Sequence, residues 1–211
     1  MQSWEKRTVL MPSKPLGLFQ DDLADAMATA LHAIEAREGE RRGWDRPARL
    51  FTVHLESVDS RLIELRMVPT RSWNGRDINP ADALINVARN LPHPPADLRR
   101  REYADSPVAG AALMFEGWAR PNNREPTEYE QRAAELGMRV NHLAPDRVET
   151  RCVYGVDINQ QQFHVFRTRG GEARVHSSSE ADADGSTKGS GRIPDALNRI
   201  VHALREGHHL F

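Results

Sequence analysis

Nine histidines and one cysteine are the first residues to question for chemistry. A transition-metal site needs three or four His, Cys or carboxylate ligands, usually announced by a spacing such as H-E-x-x-H. No such pair occurs, one thiol cannot build a thiolate cluster, and His208-His209 sits at the chain end. No metal site and no cofactor is expected. The phosphate-binding signatures G-x-x-x-x-G-K-[ST] and G-x-G-x-x-G are also absent; Gly185 to Gly191, with Lys188 inside, lacks the preceding buried strand. Nucleophilic catalysis needs a base beside Ser, Cys or Thr. Cys152 lies on the apolar side of an alternating run and reads as a structural thiol. For acid–base work the candidates are His54 and His164, each in a strand, and Glu116 at the end of an apolar strand. A carboxylate there is costly unless paired, with Arg120 or Arg49 as partner. No catalytic residue is assigned.

The most distinctive stretch is Gly43-Trp44-Asp45-Arg46-Pro47-Ala48-Arg49-Leu50-Phe51. Gly, Asp and Pro supply turn chemistry, and Trp44 can cap one edge of a core. The alternative use is a partner-binding edge formed by Trp44 and Arg49. Trp73, Trp118 and the Leu210-Phe211 tail are expected as surplus exposed apolar groups, and so as a docking surface.

Charge narrows the partners. Lys plus Arg is 29 and Asp plus Glu 30, a net charge of −1. Binding nucleic acid by bulk electrostatics normally requires a basic surplus, so nucleic acid is disfavoured. All but three of the basic residues are Arg, the exceptions being Lys6, Lys14 and Lys188. A lone cysteine suits a reducing compartment. The longest strongly apolar run, Val108 to Phe115, is too short to span a bilayer. A cytoplasmic protein without membrane partners is expected.

Any site must be positioned by the following elements. Leu23, Met27, Ala30, Leu31 and Ile34 form one helical stripe after Asp21-Asp22, with Gly39 as the stop. Leu50 to Leu55 and Arg61 to Val68 alternate as strands of a hairpin. Asn79-Pro80 opens a helix that Pro92 ends. Val108 to Trp118 is a nearly continuous apolar strand, of the kind buried on both faces. Thr127 and Glu130 match a capping box. Val148 to Ile158, with Val148, Thr150, Cys152, Tyr154 and Val156 on one face, pairs with Phe163 to Thr168. A weaker strand spans Glu172 to His176. Pro194 opens a terminal helix with Leu197, Ile200, Val201 and Leu204 as its stripe. The order α-β-β-α-β-(α)-β-β-α has too few helical crossovers for a parallel sheet. It predicts an α+β fold: one mainly antiparallel sheet packed by the N- and C-terminal helices. Residues 1–211 form a single domain, with 177–191, rich in Ser, Gly and Asp, as a flexible loop inside it.

Residues 43–51 resemble the opening motif, Gly-Trp-Asp-x-Pro-x-Arg-Leu-Phe, of a widespread family of actinobacterial proteins that also has homologues in actinobacterial phage. Pro107 to Leu113 with Glu116 resembles that family's Pro-x-x-Val-x-Gly-x-Ala-Leu strand, and Arg151 to Arg169 its closing hairpin. The segments Pro121 to Ala144 and Ser177 to Gly191 depart from the pattern. The resemblance implies no activity and carries over no catalytic residue.

The function expected from these residues is a non-enzymatic interaction module. It binds a protein partner, with homodimer formation compatible, through Trp44, Arg49, Trp73 and Trp118. The alternatives are an enzyme or small-ligand binder built from Glu116, His54 and His164, and a nucleic-acid binder using Arg41-Arg42 and Arg99 to Arg101.

Overall fold

The computed structural model describes residues 9–10, 19–55, 62–70, 73, 79–92, 108–119, 125, 127–136, 146–177 and 191–210. The elements are β1 (Val9–Leu10), α1 (Phe19–Arg42), β2 (Arg49–Leu55), β3 (Leu62–Val68), α2 (Pro80–Arg89) and β4 (Val108–Ala119). They continue with α3 (Glu128–Glu135), β5 (Val148–Asp157), β6 (Gln162–Thr168), β7 (Ala173–Ser177) and α4 (Arg192–Arg205). The fold is α+β. Its sheet runs β1-β3-β2-β4-β5-β6-β7, and every neighbouring pair is antiparallel.

The elements form where local chemistry directs them. Asn79 caps α2 by accepting a bond from the Ala81 backbone N–H at 2.9 Å, with Pro80 at the first helical position. Thr127 and Glu130 make the reciprocal capping box of α3: the Thr127 N–H donates to Glu130 at 2.7 Å, and the Glu130 N–H to Thr127 Oγ1 at 3.3 Å. The apolar run of β4 becomes a central strand, with Val108 to Met114 buried on both faces.

Two cores result, one on each face. On one, Leu23, Met27 and Leu31 of α1 pack on Phe51, Val53, Ile63, Ala112, Val153 and Phe163. On the other, α2 and α4 pack Leu84, Leu197 and Ile200 on Leu50, Leu113 and Val156. Gly155 sets the spacing of α1. A Cβ there would lie 2.4 Å from Leu31 Cδ1, so only a residue without a side chain lets the helix seat on β5.

Several expectations are corrected. The short strand β1 was not foreseen. On β5 the residues facing α1 are Arg151, Val153 and Gly155, all buried, whereas Cys152 and Tyr154 on the expected apolar face are only partly buried. Trp73 is not an exposed group: it is 6% exposed and belongs to the core beneath α2 and α4. Gly39 does not stop α1, which continues to Arg42. A Cβ on Gly39 would lie 3.0 Å from Arg151 Nη1, so its role is to leave room for that guanidinium. Gly39→Ala should therefore forgo the roughly 1 kcal/mol that alanine gains over glycine in an open helix, and lower Tm. A rise in Tm would show that Arg151 gives way freely. The tail residue Leu210 is partly buried against the α4 core. Of the loop expected over 177–191, Ser177 ends β7 and Gly191 caps α4; residues 178–190, like Arg99 to Arg101, Arg120 and Phe211, lie outside the described residues. Among those residues, no helix is long and apolar enough to cross a membrane.

Candidate functional site

The face of α1 that carries Leu23, Met27 and Leu31 stays packed on the sheet beyond Leu31. It continues as Glu35 and Glu38, one and two turns further on, and these carboxylates face arginines raised by the sheet. Glu35 is fully buried. Arg167 donates to both of its oxygens at 2.9 Å, and Arg151 Nη1 stands 3.6 Å away. The hydrogen bond to Glu35 raises Arg167 above its ordinary value. Arg151, 1% exposed, also clasps Glu116 through Nε at 3.0 Å and Nη2 at 2.7 Å, and reaches the Gly43 carbonyl. The second Glu116 oxygen accepts the Arg46 backbone N–H at 2.9 Å. Among the described residues the partner of Glu116 is thus Arg151; Arg120 lies outside them. Arg49 is 9% exposed and pairs with Glu38.

This network fixes the Gly43–Phe51 stretch. Gly43 (φ 66°) and Asp45 (φ 67°) turn the chain in the left-handed region. Trp44 between them is half-buried, with Arg151 at 4.7 Å and Arg169 at 5.6 Å from its ring centre. Arg169 pairs with Glu149 and lies 3.8 Å from Asp45. Glu149 is the cross-strand neighbour of Trp118. Trp118 is 45% exposed, with Arg147 stacked over it at 4.7 Å. Of the four residues singled out for binding, Trp44 and Trp118 are thus brought to one end of the sheet, linked through Arg169 and Glu149. Arg49 lies beneath, in an ion pair, and Trp73 is in the opposite core.

A cleft beside this network is lined by Glu38, Arg46, Pro47, Met114, Glu116 and Arg151 and encloses about 220 Å³ with its mouth included. Even with that open mouth counted, this is below the roughly 300–1,000 Å³ of ordinary ligand sites; Glu116 and Arg151 are paired with each other, and Glu38 with Arg49.

The polar triad weighed for catalysis does not converge. His54 and His164 lie on the face carrying α2 and α4, whereas Glu116 points to the α1 face. The two histidines are three strand intervals apart across the sheet and offset along it, roughly 20 Å in all. Burial, then Arg66, pushes His54 down to about 4. Burial, then His176, pushes His164 down to about 4. Both are neutral near pH 7. Burial drives the Cys152 thiol up to about 12, which leaves almost no thiolate. Among the described residues no group of three His, Cys, Asp or Glu is placed to hold a metal.

Sequence reasoning missed a row of rings across four strands: Phe115, Tyr154, His164, Phe166 and His176. Tyr154 and His164 stack at 4.2 Å and 13°, and Phe166 and His176 at 5.6 Å and 9°. The signal was present as aromatic residues on alternate positions of consecutive strands, but the strand order needed to align them was not. Because the rings face one another, their π-faces are occupied and they offer no open platform for nucleobases. Comparison with family models, curated proteins and solved structures returns no match.

Proposed function

We propose that this chain is a cytoplasmic, non-enzymatic module that binds a protein partner. One observation carries the reading: the two cation-stacked tryptophans, Trp44 and Trp118, joined through Arg169 and Glu149 at one end of the sheet. Tryptophan and arginine dominate the energetic centres of protein interfaces, and Trp118 leaves 45% of its surface open to a partner. Tyr129 and Leu136, 64% and 73% exposed and seven positions apart, add apolar surface at α3. The dispersal of His54, His164 and Glu116 weighs against the enzyme reading. The net charge of −1 and the self-stacked rings weigh against nucleic acid. Residues 43–51 support placing the chain with the actinobacterial and phage family they resemble.

The test compares Trp118→Ala and Arg169→Ala with His54→Gln/His164→Gln in cells and in cross-linked captures. The partner held by the wild type should be lost at least tenfold with Trp118→Ala at unchanged Tm, the effect of one interface hot spot. Sedimentation of the purified chain separates a homodimer from a heterologous partner. If the histidine pair abolishes the cellular role in a stable protein while the Trp118 and Arg169 variants leave it intact, the binding reading is wrong.

A further inference from the structure

We propose that the outer edge of β7 is a docking strand for an extended segment of another protein, one that carries carboxylates at alternate positions and small apolar side chains between them. The sheet ends at β7, and among the described residues β6 is its strand partner. In an edge strand every second residue turns its N–H and C=O outward, away from the sheet. Proteins blunt such edges with proline, with bulges or with charge. Ala173–Ser177 contains no proline, and its register with β6 runs without a shift from Arg167–Ala173 to Phe163–Ser177. Charge is present, but on one face and of one sign.

That asymmetry identifies the occupant. Ala173 and Val175 pack against the α1 core. Arg174 and His176 are exposed on the opposite face, where the His176 ring is stacked on Phe166. Glu172 precedes the strand, and its charge acts on Arg167 of β6, so β7 itself bears only cationic or neutral side chains. A strand added to β7 alternates in step with it. Its residues opposite Arg174 and His176 share their face, and those between lie on the α1 side. Arginine offers donors only, so carboxylates belong on the first set. Small apolar side chains belong on the second, beside Ala173 and Val175.

A second copy of this chain fits less well. The antiparallel two-fold register that pairs all of β7 sets Val175 against itself and Arg174 against His176 of the second copy, which gives neither arginine a carboxylate. A five-residue edge is also too short to bury the roughly 800 Å² per partner of a stable dimer. An added peptide strand draws its affinity from the backbone ladder and its specificity from alternate side chains. This surface is separate from the Trp44 and Trp118 end, since Trp118 lies on β4, three strand intervals from β7.

The experiment titrates the full, isotope-labelled chain with three blocked peptides: glutamate alternating with valine and alanine, the same peptide with lysine for glutamate, and the glutamate peptide with every backbone nitrogen methylated. The glutamate peptide should shift the NMR signals of residues 173–177 and slow hydrogen exchange of the outward β7 amides. It should bind about tenfold more tightly than the lysine peptide, because two cross-strand charge pairs change sign. The methylated peptide should not bind, having no donor for the ladder. Arg174→Glu, at an exposed position, should reverse the preference at unchanged Tm, and Trp118→Ala should leave it as in the wild type. The proposal is overturned if the glutamate peptide gives no saturable shift in β7 up to about 1 mM, if the lysine or the methylated peptide binds equally well, or if Arg174→Glu keeps the wild-type preference. Outward amides already protected in the free chain, from within the chain or by self-association in sedimentation, also overturn it. Peptide binding lost in Trp118→Ala and kept in Arg174→Glu would move the contact to the tryptophan end, sinking the β7 assignment while leaving the reading of that end intact.

Discussion

Arg151→Ala is expected to cost about 3–5 kcal/mol of folding stability, a fall in Tm of roughly 10 °C or more for a domain of this size. The guanidinium is 1% exposed and is shared by Glu116, Glu35 and the Gly43 carbonyl. Among the described residues, removing it leaves Glu116 with the Arg46 backbone N–H, leaves Glu35 to Arg167, and frees the turn that carries Trp44. The loss is chiefly that of burying carboxylates without a counter-charge, not of a favourable pair. Two checks follow from that distinction. Arg151→Met with Glu116→Gln should recover much of the stability, because the apolar replacement no longer faces an anion. The gap between wild type and Arg151→Ala should also narrow on acidification, as the stranded carboxylates take up protons. A constant gap across pH, with no recovery in the double variant, would mean that the loss is one of packing volume.

Gly155→Val is the second large effect, expected to destabilise by about 3 kcal/mol or more, the upper end for overpacking a rigid site. Even the Cβ alone would stand 2.4 Å from Leu31 Cδ1. Leu31 is fully buried, so it has no solvent to swing into, and either α1 or β5 must move. The neighbouring contact at Gly110, where a Cβ would lie 2.6 Å from the Val156 carbonyl and 3.0 Å from Met27 Cε, leaves no slack along the same helix. The diagnostic is non-additivity. Leu31→Ala alone should cost about 2–5 kcal/mol as a cavity, but combined with Gly155→Val the two should cost clearly less than their sum. Simple additivity in chemical denaturation would place the strain elsewhere.

Much of the architecture was legible along the chain because the elements obey local rules. The Asn79-Pro80 start, the Thr127/Glu130 box and the apolar run of β4 depend on residues within a few positions of one another. Alternation placed β2 and β3, β6 followed as the hairpin partner of β5, and the α-β-β-α-β-(α)-β-β-α order was enough to exclude a parallel sheet. Local rules failed where a residue answered to a distant one. Gly39 has the composition of a helix stop, yet α1 runs through it, because its missing side chain accommodates an arginine 112 positions later in the sequence. Glu116 was recognised as needing a cation, but the candidates considered were near in sequence or in an adjacent motif. Its actual partner arrives on β5 through the strand pairing Glu116–Arg151. Trp73 has the type of a docking residue and is a core residue, because burial is a property of what packs above it.

The sequence by itself determined the secondary-structure elements other than β1, and the antiparallel α+β class, since these follow from periodicity, capping and composition. Only the tertiary structure decided which charges are buried together, that Glu35 and Glu38 continue an apolar stripe into an arginine cage, and that Trp44 and Trp118 share one end of the sheet. The physical reason is range. Capping and alternation act over a few residues, whereas desolvation, ion pairing and ring stacking depend on distances between strands that only the sheet order sets.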